Sequence, residues 1–232
     1  MTNQIAIVKT DIQMLRCAIS DPFGRYKPES EHSVNIPDIR EDKTLKRLVG
    51  AFQCFMLSEP EPRAEREYDQ AHSIIFPLRS NYAAKDITTF SIAFAKFQNM
   101  VFFEDRAGPF ISALIDNCAD KEITIITEHL AQMLNYFGYY DIKHVVIKGS
   151  IGESCCPFNL GTVDIEGHVG HQCGLKNKAT INIKGNTGTI FGYGNKGKLN
   201  VGGRIGSLGG DIGTGDIYES GKQIVKDGER LV

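Results

Sequence analysis

The sequence predicts an α+β protein in which a helical N-terminal domain, residues 1–120, runs into a short parallel β-helix over residues 121–232. Three observations carry that expectation. Glycine recurs every 18 residues at Gly149, Gly167, Gly185, Gly203 and Gly221, with a second series, Gly152, Gly170, Gly188 and Gly206, three positions behind. Aliphatic residues keep the same spacing, Val145, Val163, Ile181, Leu199 and Ile217 in one column and Ile147, Ile165, Ile183 and Val201 in another. Upstream of these rows, apolar residues fall instead at the three- and four-residue spacing of amphipathic helices.

In chain order, Ile5, Val8, Ile12, Leu15 and Ile19 predict a helix around residues 3–19, and the polar, proline-bearing stretch Ser20 to Glu41 predicts a loop. Asp42 is placed to cap a helix whose stripe is Leu45, Leu48, Val49, Phe52 and Met56. A breaker cluster, Glu59-Pro60-Glu61-Pro62, follows it. Asp86 is expected to cap the next helix, carrying Ile87, Phe90, Phe94, Phe97 and Val101. Pro109 suits the first turn of a third, ahead of Phe110, Ile111, Leu114, Ile115 and Cys118. The run Ile123 to Thr127 reads as a strand that delivers the chain into the repeats.

Each 18-residue row from Val145 reads as one coil, unable to bury its apolar face without neighbours. Positions one and three point inward, and glycine at position five is read as a turn. Ile151, Val169, Thr187 and Ile205 at position seven resume the inward series before glycine at position eight breaks it again. Position eleven holds Cys155, Cys173 and Phe191, and one row earlier it holds Phe137. Residues 127–144 therefore read as a degenerate capping coil, with Ala131 and Leu134 where corner glycines belong and Phe137 facing the interior. At the far end Glu219 and Gln223 occupy interior columns, and the stack is expected to stop.

These rows resemble the GXGXG repeat domain found at the C-terminal end of the large subunit of glutamate synthase and in the C subunit of formylmethanofuran dehydrogenase. The resemblance covers about residues 140–225. It implies a right-handed parallel β-helix. In those enzymes the domain packs against catalytic domains and is not where the chemistry happens, so it implies no catalytic residue here. The chain also shows neither an N-terminal nucleophilic cysteine nor iron–sulfur cysteine spacing.

With 232 residues and 41% hydrophobic content the chain can bury a core, and a net charge of −2 argues against a nucleic-acid partner. No apolar run approaches a membrane span, and no partner membrane is expected. Six cysteines without a secretion signal read as reduced thiols in the cytoplasm.

Three constellations invite a functional reading. Gly192-Tyr193-Gly194-Asn195-Lys196-Gly197 matches the dinucleotide fingerprint, but a strand follows it where the fingerprint needs a helix, so no cofactor is expected. His168, His171 and Cys173 in one row, with Glu153, Cys155 and Cys156 in the row before, are candidate metal ligands. Their columns separate them: His168 shares its column with Ser150, Asn186 and Arg204 and faces solvent, whereas the thiols share theirs with Phe137 and Phe191. An 18-residue coil also equals three hexapeptides, the repeat of left-handed acyltransferases that use a histidine base. The third hexad, opening on Pro157, Leu175, Tyr193 and Asp211, does not fit that repeat. Outward columns form polar ladders, Lys148 with Glu166 and Lys184, and Asn182 with Asn200. The expected function is a non-catalytic binding or assembly module whose partner is another protein or a second copy. The alternative is an acyltransferase-like or other enzyme at the helix–solenoid junction, where Tyr139, Tyr140, His129 and His144 would gather.

Overall fold

The computed structural model describes residues 42–139 and 142–231, all within one compact unit. The helix expected at residues 3–19, the loop to Glu41 and Tyr140 lie outside the described residues.

Helix α1, Lys43–Leu57, starts where its cap was expected, with Asp42 Oδ1 accepting the Leu45 N–H at 2.8 Å. Its stripe centres on Phe52, whose ring meets those of Phe90, Phe94, Phe97, Phe103 and Phe110 at centroid distances of 5.0 to 6.3 Å, mostly edge to face. Helix α2, Ala64–Ile75, carries only Tyr68, Ala71 and Ile75 as apolar buried residues, too sparse a pattern to announce a helix from sequence. Helix α3, Ala84–Ala93, continues into a 3-10 turn at Phe94–Phe97. Asp86 is not its cap but its third residue, and its Oδ2 reaches back to the Ala83 N–H at 2.8 Å. Helix α4, Phe103–Asn117, begins six residues before Pro109, which therefore lies in the helix interior. A proline there withdraws the N–H that the Asp105 carbonyl would have accepted. The disturbed turn docks on the solenoid: the Asn135 N–H donates to the Glu104 carbonyl at 2.8 Å, and a side chain on Gly108 would sit 1.9 Å from Asn135 O.

The solenoid presents eight strands in sequential order. Parallel rungs are β1 (Glu122–Ile126), β2 (His144–Lys148), β3 (Thr162–Ile165), β4 (Thr180–Ile183), β5 (Lys198–Val201) and β6 (Asp216–Glu219). From β2 onward the register is 18 residues, Val145 over Val163, Ile181, Leu199 and Ile217. The first coil differs from the sequence expectation. It opens at β1, with Ile123 paired to Val145, so the strand-like run is itself the first rung and this coil is four residues longer than the rest. The 18-residue register holds from Leu134, whose carbonyl accepts the Gly152 N–H, through Phe137, whose carbonyl accepts that of Cys156. Phe137 is fully buried in the column of Cys155, as its spacing predicts.

Glycine at position five has a different cause from the one expected. Of the five in that column, Gly149 and Gly221 have a left-handed backbone, at φ 124° and 78°. At Gly167, Gly185 and Gly203 an added Cβ would lie 2.2 to 2.5 Å from oxygen atoms of the preceding coil. Coil-to-coil contact, not turning, excludes a side chain there. Position fifteen adds a column of buried amides: Asn159 Nδ2 donates to Asn177 Oδ1, and Asn177 Nδ2 to Asn195 Oδ1, both at 2.9 Å. Each Oδ1 also accepts the N–H two residues on, so every corner is closed internally.

Both ends of the stack are covered. Beside β1, Thr88 Oγ1 of α3 donates to the Thr124 carbonyl at 2.7 Å and Ser91 Oγ accepts the Ile126 N–H at 3.0 Å. At the other end β7 (Lys222–Lys226) folds back antiparallel on β6, and β8 (Glu229–Arg230) on β7. Glu219, the polar intruder in an interior column, accepts the Ile205 N–H at 2.7 Å where a further coil would have supplied a carbonyl. The edge strand left at this end, β8, is only two residues long and carries two charged side chains, a poor template for another chain. Among the described residues no helix is long and apolar enough to cross a membrane.

Candidate functional site

The metal-ligand candidates are divided between the two sides of the solenoid wall. His168 Nδ1 accepts the Asn186 N–H at 2.9 Å, and His171 Nδ1 accepts the Thr189 N–H at 3.1 Å, so both rings are held as acceptors along the outer surface. Glu153 is exposed. Cys155, Cys156 and Cys173 are in no disulfide and have no solvent exposure, and burial raises the Cys155 pKa well above the ordinary thiol value. Among the described residues, no three His, Cys, Asp or Glu side chains converge. The fingerprint glycines are also committed to the coil. The Gly192 N–H donates to the Cys173 carbonyl, that of Gly194 to Asp211 and that of Gly197 to Asn177, so none points at a bound phosphate.

The junction residues go to separate places. His129 Nε2 lies 3.0 Å from the Ile92 carbonyl, and its buried Nδ1 has no partner. Burial depresses its pKa, with the Ile92 carbonyl acting in the opposite direction. His144 instead lies on the outer wall, its Nε2 2.7 Å from Asp164 Oδ2. Asp164 Oδ1 accepts from Asn182 at 2.6 Å, and Asn182 Oδ1 from Asn200 at 2.6 Å, which extends the expected ladder by two members. Tyr139 is buried and stacks on Tyr68 with centroids 6.0 Å apart.

A cleft of about 320 Å³ does lie between helices and first coil, lined by Pro60, Pro62, Phe102, Asp105 and Tyr136 among others. Its floor is Arg106, only 3% exposed at its side chain. All five guanidinium donors are used: Nε to Glu67 at 3.0 Å, Nη1 to the Met56 and Ser58 carbonyls, and Nη2 to Ser58 Oγ and Gln70 Oε1. Glu67 Oε1 in turn accepts the Glu61 N–H at 2.7 Å. Arg106 fixes the α1–α2 loop and has no donor left for a ligand. The hydroxyl proton of Tyr136 is held more tightly than usual by burial and by Asp105 and Glu153.

A second hollow, about 290 Å³, opens on the solenoid wall between Gln172, Leu175, Ile190 and Tyr193. Its shape comes from the backbone. Position ten is left-handed in successive coils, with φ 52° at Ser154, 56° at Gln172 and 58° at Ile190. Ile190 and Tyr193 keep 42% and 39% of their surface exposed on a wall whose outward columns are otherwise mostly polar. The two coils that form the hollow continue through exposed lysines, Lys176 and Lys178 on one and Lys196 and Lys198 on the other. Asp211, next in the column of Tyr193, accepts the Gly213 N–H at 2.9 Å. Sequence reasoning named Tyr193 only within a glycine motif and at the opening of a third hexad, not as surface. The signal it passed over was a large apolar residue at an outward position, Ile190, beside a lysine at every second residue from Lys176 and from Lys196.

Compared with known proteins, the chain matches no family model, no curated sequence and no solved structure.

Proposed function

We propose that this chain is a non-catalytic binding module whose recognition surface is the apolar hollow at Leu175, Ile190 and Tyr193. The observation that carries the reading is the pair of large apolar side chains left exposed, at 42% and 39%, on a wall held rigid by coil-to-coil hydrogen bonds. Preorganised apolar surface with the exposed Lys176 next to its lining residue Leu175 favours a partner segment with an apolar anchor flanked by carboxylates. The reading agrees with the resemblance to GXGXG repeat domains, which pack against other domains. The test is selection from a random peptide library on the immobilised full-length protein. Enrichment of aromatic or aliphatic anchors flanked by Asp or Glu, lost with Tyr193→Ser, is the expected result. Selection unchanged by Tyr193→Ser, or enrichment of basic peptides, would remove the hollow as the recognition surface.

A further inference from the structure

We infer that the hollow's occupant is a second copy of this chain, whose Phe102 inserts between Leu175, Ile190 and Tyr193; the inference rests on the reading of the hollow given above. Phe102 and Val101, in the turn before α4, are 55% and 74% exposed. The turn is an unusual place for such a residue. Ten described non-glycine residues have positive φ, of which seven recur at solenoid corners and two lie in the turns around β7. Phe102, at φ 61°, is the one in the helical part, and a bulky residue pays a conformational penalty there without gaining burial in the monomer.

Charge makes the two surfaces complementary. Glu104 and Asp105 follow Phe102 in the first turn of α4, while the neighbouring Arg106 is turned inward with all its donors bonded. An aromatic anchor with the exposed Glu104 carboxylate beside it is ligand chemistry that the apolar hollow next to the exposed Lys176 would select, Asp105 being held by Asn135 Nδ2 at 2.8 Å. Knob and hollow are different surfaces of one molecule, so the contact is heterologous, and each copy can give one and receive one.

Sedimentation velocity on the full-length chain, over a wide protein concentration range and at low and high salt, tests the inference. The expected result is a mass rising above the 25.7 kDa monomer with concentration, and less so in high salt. Phe102→Ser keeps a hollow but no knob, and the double variant Ile190→Ser with Tyr193→Ser keeps a knob but no hollow. Each alone should stay monomeric with an unchanged melting temperature, and an equimolar mixture should form a dimer and nothing larger. A wild type that remains monomeric throughout, variants that associate like wild type, or a mixture that forms no dimer would each overturn the inference. If peptide selection still depends on Tyr193 while the wild type is monomeric, the hollow stands as a binding surface and only the occupant assigned here fails.

Discussion

At the scale of single residues, the most consequential position is Arg106, a charge the chain buries with every donor answered. Removing one member of a buried ion pair costs about 3–5 kcal/mol, because the remaining charge is left without compensation. Arg106→Met should therefore destabilise by that order in urea denaturation, and Arg106→Lys should recover little, since three donors on a flexible stem cannot reproduce five in a planar fork. His129 gives a pH signature. Its folded pKa is depressed below the ordinary 6.5 by burial, so the unfolded chain takes up the proton first on acidification. Stability is complete above about 6.5 and falls as the pH drops through that value towards the folded one. His129→Gln can still donate to Ile92 but does not titrate. Comparing denaturation midpoints of the two proteins at neutral and mildly acidic pH should show a steeper acid loss for the wild type, and equal losses would exclude His129 as the cause. Asp164, whose carboxyl is raised by burial but held below the usual value on balance by Asn182 and His144, loses its contribution only at much lower pH, so the two effects separate.

At the scale of elements, periodicity made the rungs legible and physical cause was harder to read than position. The columns from Val145 to Ile217 pair as their spacing requires. The glycines of position five are also where the spacing puts them, yet three of the four covered by that spacing before β6 exist for close backbone approach and not for a turn. The first coil escaped because four inserted residues break its register between β1 and Leu134, and a fixed-period reading cannot see an insertion. Helix α2 escaped because its inward residues include Glu67, which no hydrophobic pattern marks. Asn159, Asn177 and Asn195 obey the 18-residue spacing as strictly as the aliphatics, but polar residues suggest an outer face and these are fully buried. Asn177 lies between the other two and is the informative one to change. Asn177→Ala leaves the Ala179 N–H without its acceptor inside the coil, while Asn159 Nδ2 keeps the Gly161 carbonyl and Asn195 Oδ1 keeps the Gly197 N–H. At about 1–3 kcal/mol for a buried group left unsatisfied, the variant should lose about that much, beyond the effect of Asn200→Ala on the outer ladder. Thermal melts of the two variants side by side would decide whether the buried amides stabilise the stack.

At the scale of the whole molecule, helices and solenoid share one continuous apolar core that runs from Leu45 through Phe110, Phe137 and Cys155 to Val225. The connection is also polar: the Gly138 N–H donates to Ser112 Oγ at 2.7 Å, and Lys143 Nζ reaches back to the Ile115 carbonyl at 2.7 Å at the end of α4. Sequence places a boundary near residue 120 because the periodicity changes there, but periodicity records which faces are apolar and not what they pack against. Because α3 covers the free side of β1 and α4 fits its Gly108 against the first coil, neither part can open without exposing the other. A single calorimetric transition is therefore expected for residues 42–231. Phe137→Ala, the loss of a fully buried aromatic, should lower that transition by about 3–5 kcal/mol as one event and not detach a folded solenoid. Tyr139→Ala, although stacked on Tyr68 and 8% exposed, should do less because its ring lies outside the coil columns. A fragment beginning at Val145 would lack the rung that pairs with β2 and the helix that shields it, leaving a bare strand edge over an open apolar interior. It should aggregate or remain unfolded. Two separated heat-absorption peaks, or a soluble fragment from Val145 with a cooperative melt of its own, would show that the solenoid is autonomous and that the shared core is only a docking surface.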